Sequence, residues 1–125
     1  MDHVLRDDIP VGDVAAQSEL CIVFVSLFLV EGWDREHLRL DRNGERLIEE
    51  VEASCAGKVV VVMHTGGQVL VEQWIELPRI ASVVWAGYPG KSCSINLISG
   101  QESGNALVSV LWGDVNPSGK VSSSR

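Results

Sequence analysis

The chain has 125 residues, with 10 basic and 17 acidic side chains and a formal charge of −7. That is the length of one domain with room for a real core, and the acidic balance excludes a general nucleic-acid binder, which needs a basic face. No apolar run approaches the about 20 residues of a membrane-spanning helix, and the opening MDHVLRDDIP lacks the basic start and apolar stretch of a secretory signal.

The charge is unevenly placed. Residues 1–57 carry thirteen acids against five bases, a net of −8, whereas residues 58–125 carry four acids against five bases, a net of +1. The second part is mostly apolar, glycine and small polar residues, the composition of buried strands joined by tight turns.

Residues 13–19 read as a leading helix. Leu20–Ser26 (LCIVFVS) is the first strand. Its unbroken apolar run suits a strand buried on both faces, in a parallel sheet covered by helices. Asn43 is placed to cap a helix from Glu45 toward Cys55. Leu47, Ile48 and Val51 form its apolar stripe, with Glu45, Glu49, Glu50 and Glu52 turned to water. Gly57 then supplies a stop. Residues 58–63 (KVVVVM) form the second strand. A helix over residues 68–76 follows and ends before Pro78. Ile80–Trp85 (IASVVW) is the third strand. A last helix runs from Glu102 or Ser103 to Trp112, with Ala106, Leu107, Val110 and Leu111 as its buried stripe, and Gly113 closes it. The stretch from Gly113 to Lys120 is a tight turn by composition. Alternation of this kind implies a parallel α/β sheet with right-handed connections.

Ligands of such sheets bind beyond the carboxyl ends of the strands, so the loops at 27–40, 64–68 and 86–101 matter most. The first of them crowds Glu31, Asp34, Arg35, Glu36 and His37 beside Trp33. Carboxylates next to a flat indole suit a carbohydrate site, where the ring stacks on sugar C–H faces and the acids accept hydrogen bonds. A carboxyl group pressed on apolar surface also keeps its proton longer, as a general acid requires. The plainer alternative is a solvated loop with an Asp34–Arg35 or Glu31–Arg35 ion pair.

Other chemistry is less well supported. The turn His64-Thr65-Gly66-Gly67 offers backbone N–H groups to an anion. It lacks both G-x-G-x-x-G spacing and a P-loop lysine. His64 reads as a structural histidine at a strand end. No serine stands in a G-x-S-x-G elbow, and Cys21 lies within a strand, so a nucleophile is missing. His3, His37 and His64 lack metal-ligand spacing, and no metal or cofactor is expected. Cys21, Cys55 and Cys93 cannot all pair with each other and are too few for a disulfide framework or a zinc site. Trp74, Trp85 and Trp112 read as core or interface residues.

Several stretches in order resemble the C-terminal domain of glycoside hydrolase family 3, and fungal β-glucosidases in particular. They are Glu31-Gly32-Trp33-Asp34-Arg35 with His37-Leu38-Arg39-Leu40, then Val59 to Val62 with His64-Thr65-Gly66-Gly67, and Val83-Val84-Trp85-Ala86-Gly87-Tyr88-Pro89-Gly90. Gln101-Glu102-Ser103-Gly104-Asn105-Ala106-Leu107 and Val110-Leu111-Trp112-Gly113-Asp114-Val115-Asn116-Pro117-Ser118-Gly119-Lys120 complete the pattern over about residues 15–120. The resemblance implies a three-layer α/β sandwich with a mainly parallel sheet, here truncated, as a single domain over residues 1–125.

The resemblance also implies an activity. Family members release sugars from β-glucosides with retention, using a nucleophile and an acid/base carboxyl about 5–5.5 Å apart. The nucleophile belongs to a preceding barrel domain, absent here, so the isolated chain is expected to be inactive. Glu31 inherits candidacy as the acid/base, and Trp33, Asp34 and Arg35 as residues around the sugar. The expected partners are a carbohydrate, a barrel domain and a second copy, since a missing strand would expose a sheet edge. No nucleic acid or membrane partner is expected. Relatives are commonly secreted. Residues 91–99 (KSCSINLIS) interrupt the family pattern and read as an inserted loop or as retained intron sequence. The alternative function is a non-catalytic module that binds carbohydrate or protein.

Overall fold

The structure is a computed structural model that describes residues 10–29, 31–87, 103–117 and 119. Its order is α1 (Val11–Ala16), β1 (Leu20–Ser26), α2 (Gly44–Ser54), β2 (Lys58–His64), β3 (Ile80–Trp85) and α3 (Ser103–Leu111). The expected interruption at 91–99 lies outside the described residues.

The strands form one sheet in the order β1-β2-β3. Both pairings are parallel, with Cys21 beside Val59 and Val25 beside Met63, and with Val61 beside Val83. This is the expected α/β class. Parallel neighbours need crossovers, which here are the segment with α2 and the segment around Trp74.

The two-sided burial expected of all three strands holds only at the centre. β1 alternates: Cys21, Val23 and Val25 are buried, whereas Leu20 and Phe24 are each 55% exposed. β2 is covered more evenly, with Val59, Val61 and Val62 all at 0%. β3 is an edge strand with Ala81 and Ser82 exposed. The core joins the inner faces of β1 and β2 to Ala15 of α1, to Ile48, Val51 and Cys55 on or beside α2, and to Leu40 and Trp74. Burying each of the Val, Leu and Ile side chains among them contributes roughly 1.5–3 kcal/mol. α3 stands over the opposite face, across an apolar groove between Ile22 and Phe24 on the sheet and Leu107 and Leu111 on the helix.

Local expectations were corrected at several points. Asn43 does not cap α2 through its side chain: it is left-handed at φ 56°, after Arg42 at φ 52°. Asn tolerates that conformation better than other residues with a Cβ. The chain enters α2 with the Gly44 N–H donating to Asp41 O at 3.0 Å. Glu52 faces inward rather than to water, at 8% exposure, and accepts the backbone N–H of Arg79 at 3.2 Å. The stripe of α3 is only half-buried, and Ala106 is exposed.

The helix expected at 68–76 does not form. Leu70 N–H is committed to Leu38 O at 2.9 Å rather than to a helical carbonyl, and residues 68–71 take no regular secondary structure. Turns around Trp74 occupy residues 72–76, with Ile75 N–H donating to Val71 O at 2.9 Å. Too few residues remain before Pro78 to repay helix nucleation.

Cys21 and Cys55 form a disulfide between β1 and the C-terminal end of α2. Three scattered cysteines gave no sign of this pair, because the register of β1 and β2 and the end of α2 bring the two together.

Candidate functional site

The carboxyl ends of β1 and β2 lie side by side, with Ser26 opposite His64. The loop after β1 leaves from this edge and returns to α2. Asp41 closes its base, its Oδ2 accepting the N–H of Phe28. A second tie joins the strand ends, where Leu27 N–H donates to His64 O at 3.3 Å.

Within this loop is an open cleft of about 420 Å³. Phe28 and Leu29 line one part of it, and Trp33, Asp34, Arg35, Glu36 and His37 line another, with Asp41 at the base. Trp33 is 83% exposed, so its indole is free to stack on a ligand. Phe28 is also exposed, at 68%. Asp34, Glu36 and Asp41 supply carboxylate acceptors, and Arg35 a guanidinium. The arrangement can offer an aromatic face and several acceptors to a hydroxylated ligand.

The structure gathers Trp33, Asp34 and Arg35 into the cleft. Glu31 is exposed and outside the cleft lining. It makes no hydrogen bond or ion pair with another described residue. Neither ion pair considered for Arg35 forms. Arg35 instead donates from Nη1 to Gln68 O at 2.7 Å and from Nη2 to Arg39 O at 3.1 Å. Asp41, a base-closing residue that also lines the cleft, was missed. An acid just before a helix start was the available signal.

The His64-Thr65-Gly66-Gly67 turn opens no helix, so no helix N-terminus is available to an anion there. His64 stacks on Phe24, with ring centroids 6.4 Å apart and planes 9° from parallel. Thr65 is buried at 1% and receives the indole N–H of Trp85. Trp74 is core at 0%, whereas Trp112 is 70% exposed. Among the described residues no group of three or more His, Cys, Asp or Glu could hold a metal ion, and no helix is long and apolar enough to cross a membrane.

A family model described as the glycosyl hydrolase family 3 C-terminal domain matches residues 10–124. The chain is 41% identical over 117 residues to a protein named probable beta-glucosidase A from Neosartorya fischeri, covering 87% of this chain. It is 38% identical over 129 residues to probable beta-glucosidase E from Emericella nidulans, covering 97% of this chain. It spans 12% of the length of either relative. Among solved structures, the beta-D-glucoside glucohydrolase of Trichoderma reesei superposes with a TM-score of 0.75 at 39% identity, over 89% of this chain and 15% of that one. A family 3 beta-glucosidase from Neurospora crassa superposes with a TM-score of 0.73 at 36% identity, over 87% of this chain and 13% of that one.

Proposed function

The chain belongs to the glycosyl hydrolase family 3 C-terminal domain family, and on that premise we propose that it supplies one wall of the sugar site of a β-glucosidase-like retaining glycoside hydrolase. The observation that carries the reading is the cleft in the loop after β1, where an exposed indole stands among carboxylates at the carboxyl edge of a parallel sheet.

In this reading residues 1–125 act as a single domain. The nucleophile comes from a barrel domain and attacks the anomeric carbon. Glu31 gives its proton to the leaving oxygen, then takes one from the water that hydrolyses the glycosyl-enzyme. Trp33 stacks on the sugar face and Asp34 accepts sugar hydroxyls, while Arg35 shapes their surroundings. What supports Glu31 is its place in the Glu-Gly-aromatic-Asp-Arg pattern and a carboxyl group uncommitted to any described residue. The substrate is a β-glucoside, and the chain alone is catalytically incomplete.

The test mixes this chain with a separately expressed family barrel domain and follows release of an aryl leaving group from a β-glucoside. Activity is expected from the mixture alone, with Glu31→Gln lowering it about 100-fold or more. Full activity in Glu31→Gln moves the acid/base role to another carboxylate of the loop. Hydrolysis by the isolated chain overturns the two-domain reading. Cellobiose binding without activity in the mixture favours the non-catalytic module.

A further inference from the structure

We propose that Arg35 is a positioning residue that straps the loop after β1 to the loop after β2, and so holds Trp33 and Asp34 in place. The proposal rests on the carbohydrate reading only in what those two residues are held for. The strap itself stands on hydrogen bonds.

A guanidinium presents N–H donors in a rigid planar fork. In a loop with acidic neighbours on both sides, a bidentate pair with a carboxylate is its ordinary use. Arg35 does otherwise. Its two terminal nitrogens divide between Gln68 O, 33 residues away, and Arg39 O, four residues away in its own loop. No carboxylate of a described residue lies within ion-pair distance of it. The charge is spent on two backbone carbonyls that no substitution of those residues would remove.

The location matters as much as the geometry. Leu27 N–H to His64 O joins the two loops at the strand ends, and Leu70 N–H to Leu38 O joins them farther out. Arg35 is the side-chain tie between these backbone ties. Its own Cα follows Trp33 and Asp34 directly, so the strap acts on the wall that carries both. Gly32 precedes Trp33 at a φ of 91°, a left-handed conformation natural to glycine. The wall is therefore hinged on one side and pinned on the other. A surface loop of this length would otherwise open at small cost.

Amide hydrogen exchange and indole N–H resonances of the full chain test this in Arg35→Met and Arg35→Lys. In Arg35→Met, exchange at Leu70 is expected to rise about tenfold, as for loss of one to two net hydrogen bonds, while Val61 in the core sheet is unchanged. The Trp33 indole resonance moves as well. Arg35→Lys, which can refill one carbonyl but not both, falls between. Titration with cellobiose then moves the Trp33 indole of the native chain, and does so at least about threefold more weakly in Arg35→Met.

Unchanged exchange at Leu70 in Arg35→Met overturns the strap. A parallel rise at Leu70 and Val61 overturns it too, because that is general destabilisation. If cellobiose leaves the native Trp33 unmoved, the carbohydrate reading falls, and the exchange comparison still decides the strap.

Discussion

The indole N–H of Trp85 donates to both the carbonyl and the hydroxyl oxygen of Thr65, each at 2.9 Å. Thr65 follows β2 and Trp85 ends β3, so one shared hydrogen locks the carboxyl ends of two neighbouring strands. The tie matters because β3 lies at one edge of the described sheet, and Trp85 is 49% exposed. Without it the ring has little to fix its orientation. Replacing Thr65 by Val keeps the carbonyl acceptor and removes the hydroxyl. The expected cost is about 1 kcal/mol, read from urea unfolding, with a change in the Trp85 indole resonance at zero denaturant. An unchanged indole resonance would show that the carbonyl alone sets the ring.

Gly57 has a different purpose from the helix stop it suggests. It has no positive φ, and Cys55 leaves α2 in an extended conformation. A Cβ at residue 57 would instead collide with the backbone carbonyl of Glu19. The same carbonyl accepts Lys58 N–H at 3.1 Å, the bond beside the start of the β1–β2 ladder. Gly57→Ala should therefore cost about 2–3 kcal/mol or more, since backbone rather than a flexible side chain must move. Gly104→Ala is the control: nothing lies within 4 Å of its Cβ position, so it should not lower the urea midpoint.

The Cys21–Cys55 disulfide closes a segment with a sequence separation of 34. A loop of that size restricts the unfolded chain by about 3–4 kcal/mol. The Cys55→Ala variant should lose that much on urea unfolding, and reductant should lower the midpoint of the native chain but not of the variant. Both cysteines are buried, at 8% and 1%, so reduction should be slow until the chain is partly unfolded. Equal sensitivity of both proteins to reductant would count against this account.

Much of the framework was legible because hydrophobic patterning is local. Runs of Val and Ile within Leu20–Ser26 and Ile80–Trp85 name strands without reference to anything else. Leu47, Ile48 and Val51 name α2 in the same way, and the ordered motifs from Glu31 to Lys120 name the family. The failures share a cause. The segment 68–76 has helical composition, but a hydrogen bond to Leu38 takes the Leu70 N–H out of any helical ladder. Glu52 belongs on a polar stripe until Arg79 arrives to meet it, with a backbone N–H and a guanidinium 3.1 Å from Glu52 O.

The sequence by itself determined the class of fold, the strands, the family and the acidic, aromatic make-up of the loop that lines the cleft. Each of these follows from composition, short-range period or ordered motifs. Only the tertiary structure decided that Cys21 meets Cys55, that Arg35 bonds to carbonyls rather than acids, and that Glu31 stands outside the cleft its neighbours line. The reason is physical. A side chain's partner depends on which distant backbone the sheet register brings to it, and residues 33 or 34 positions apart carry no local pattern that records the meeting.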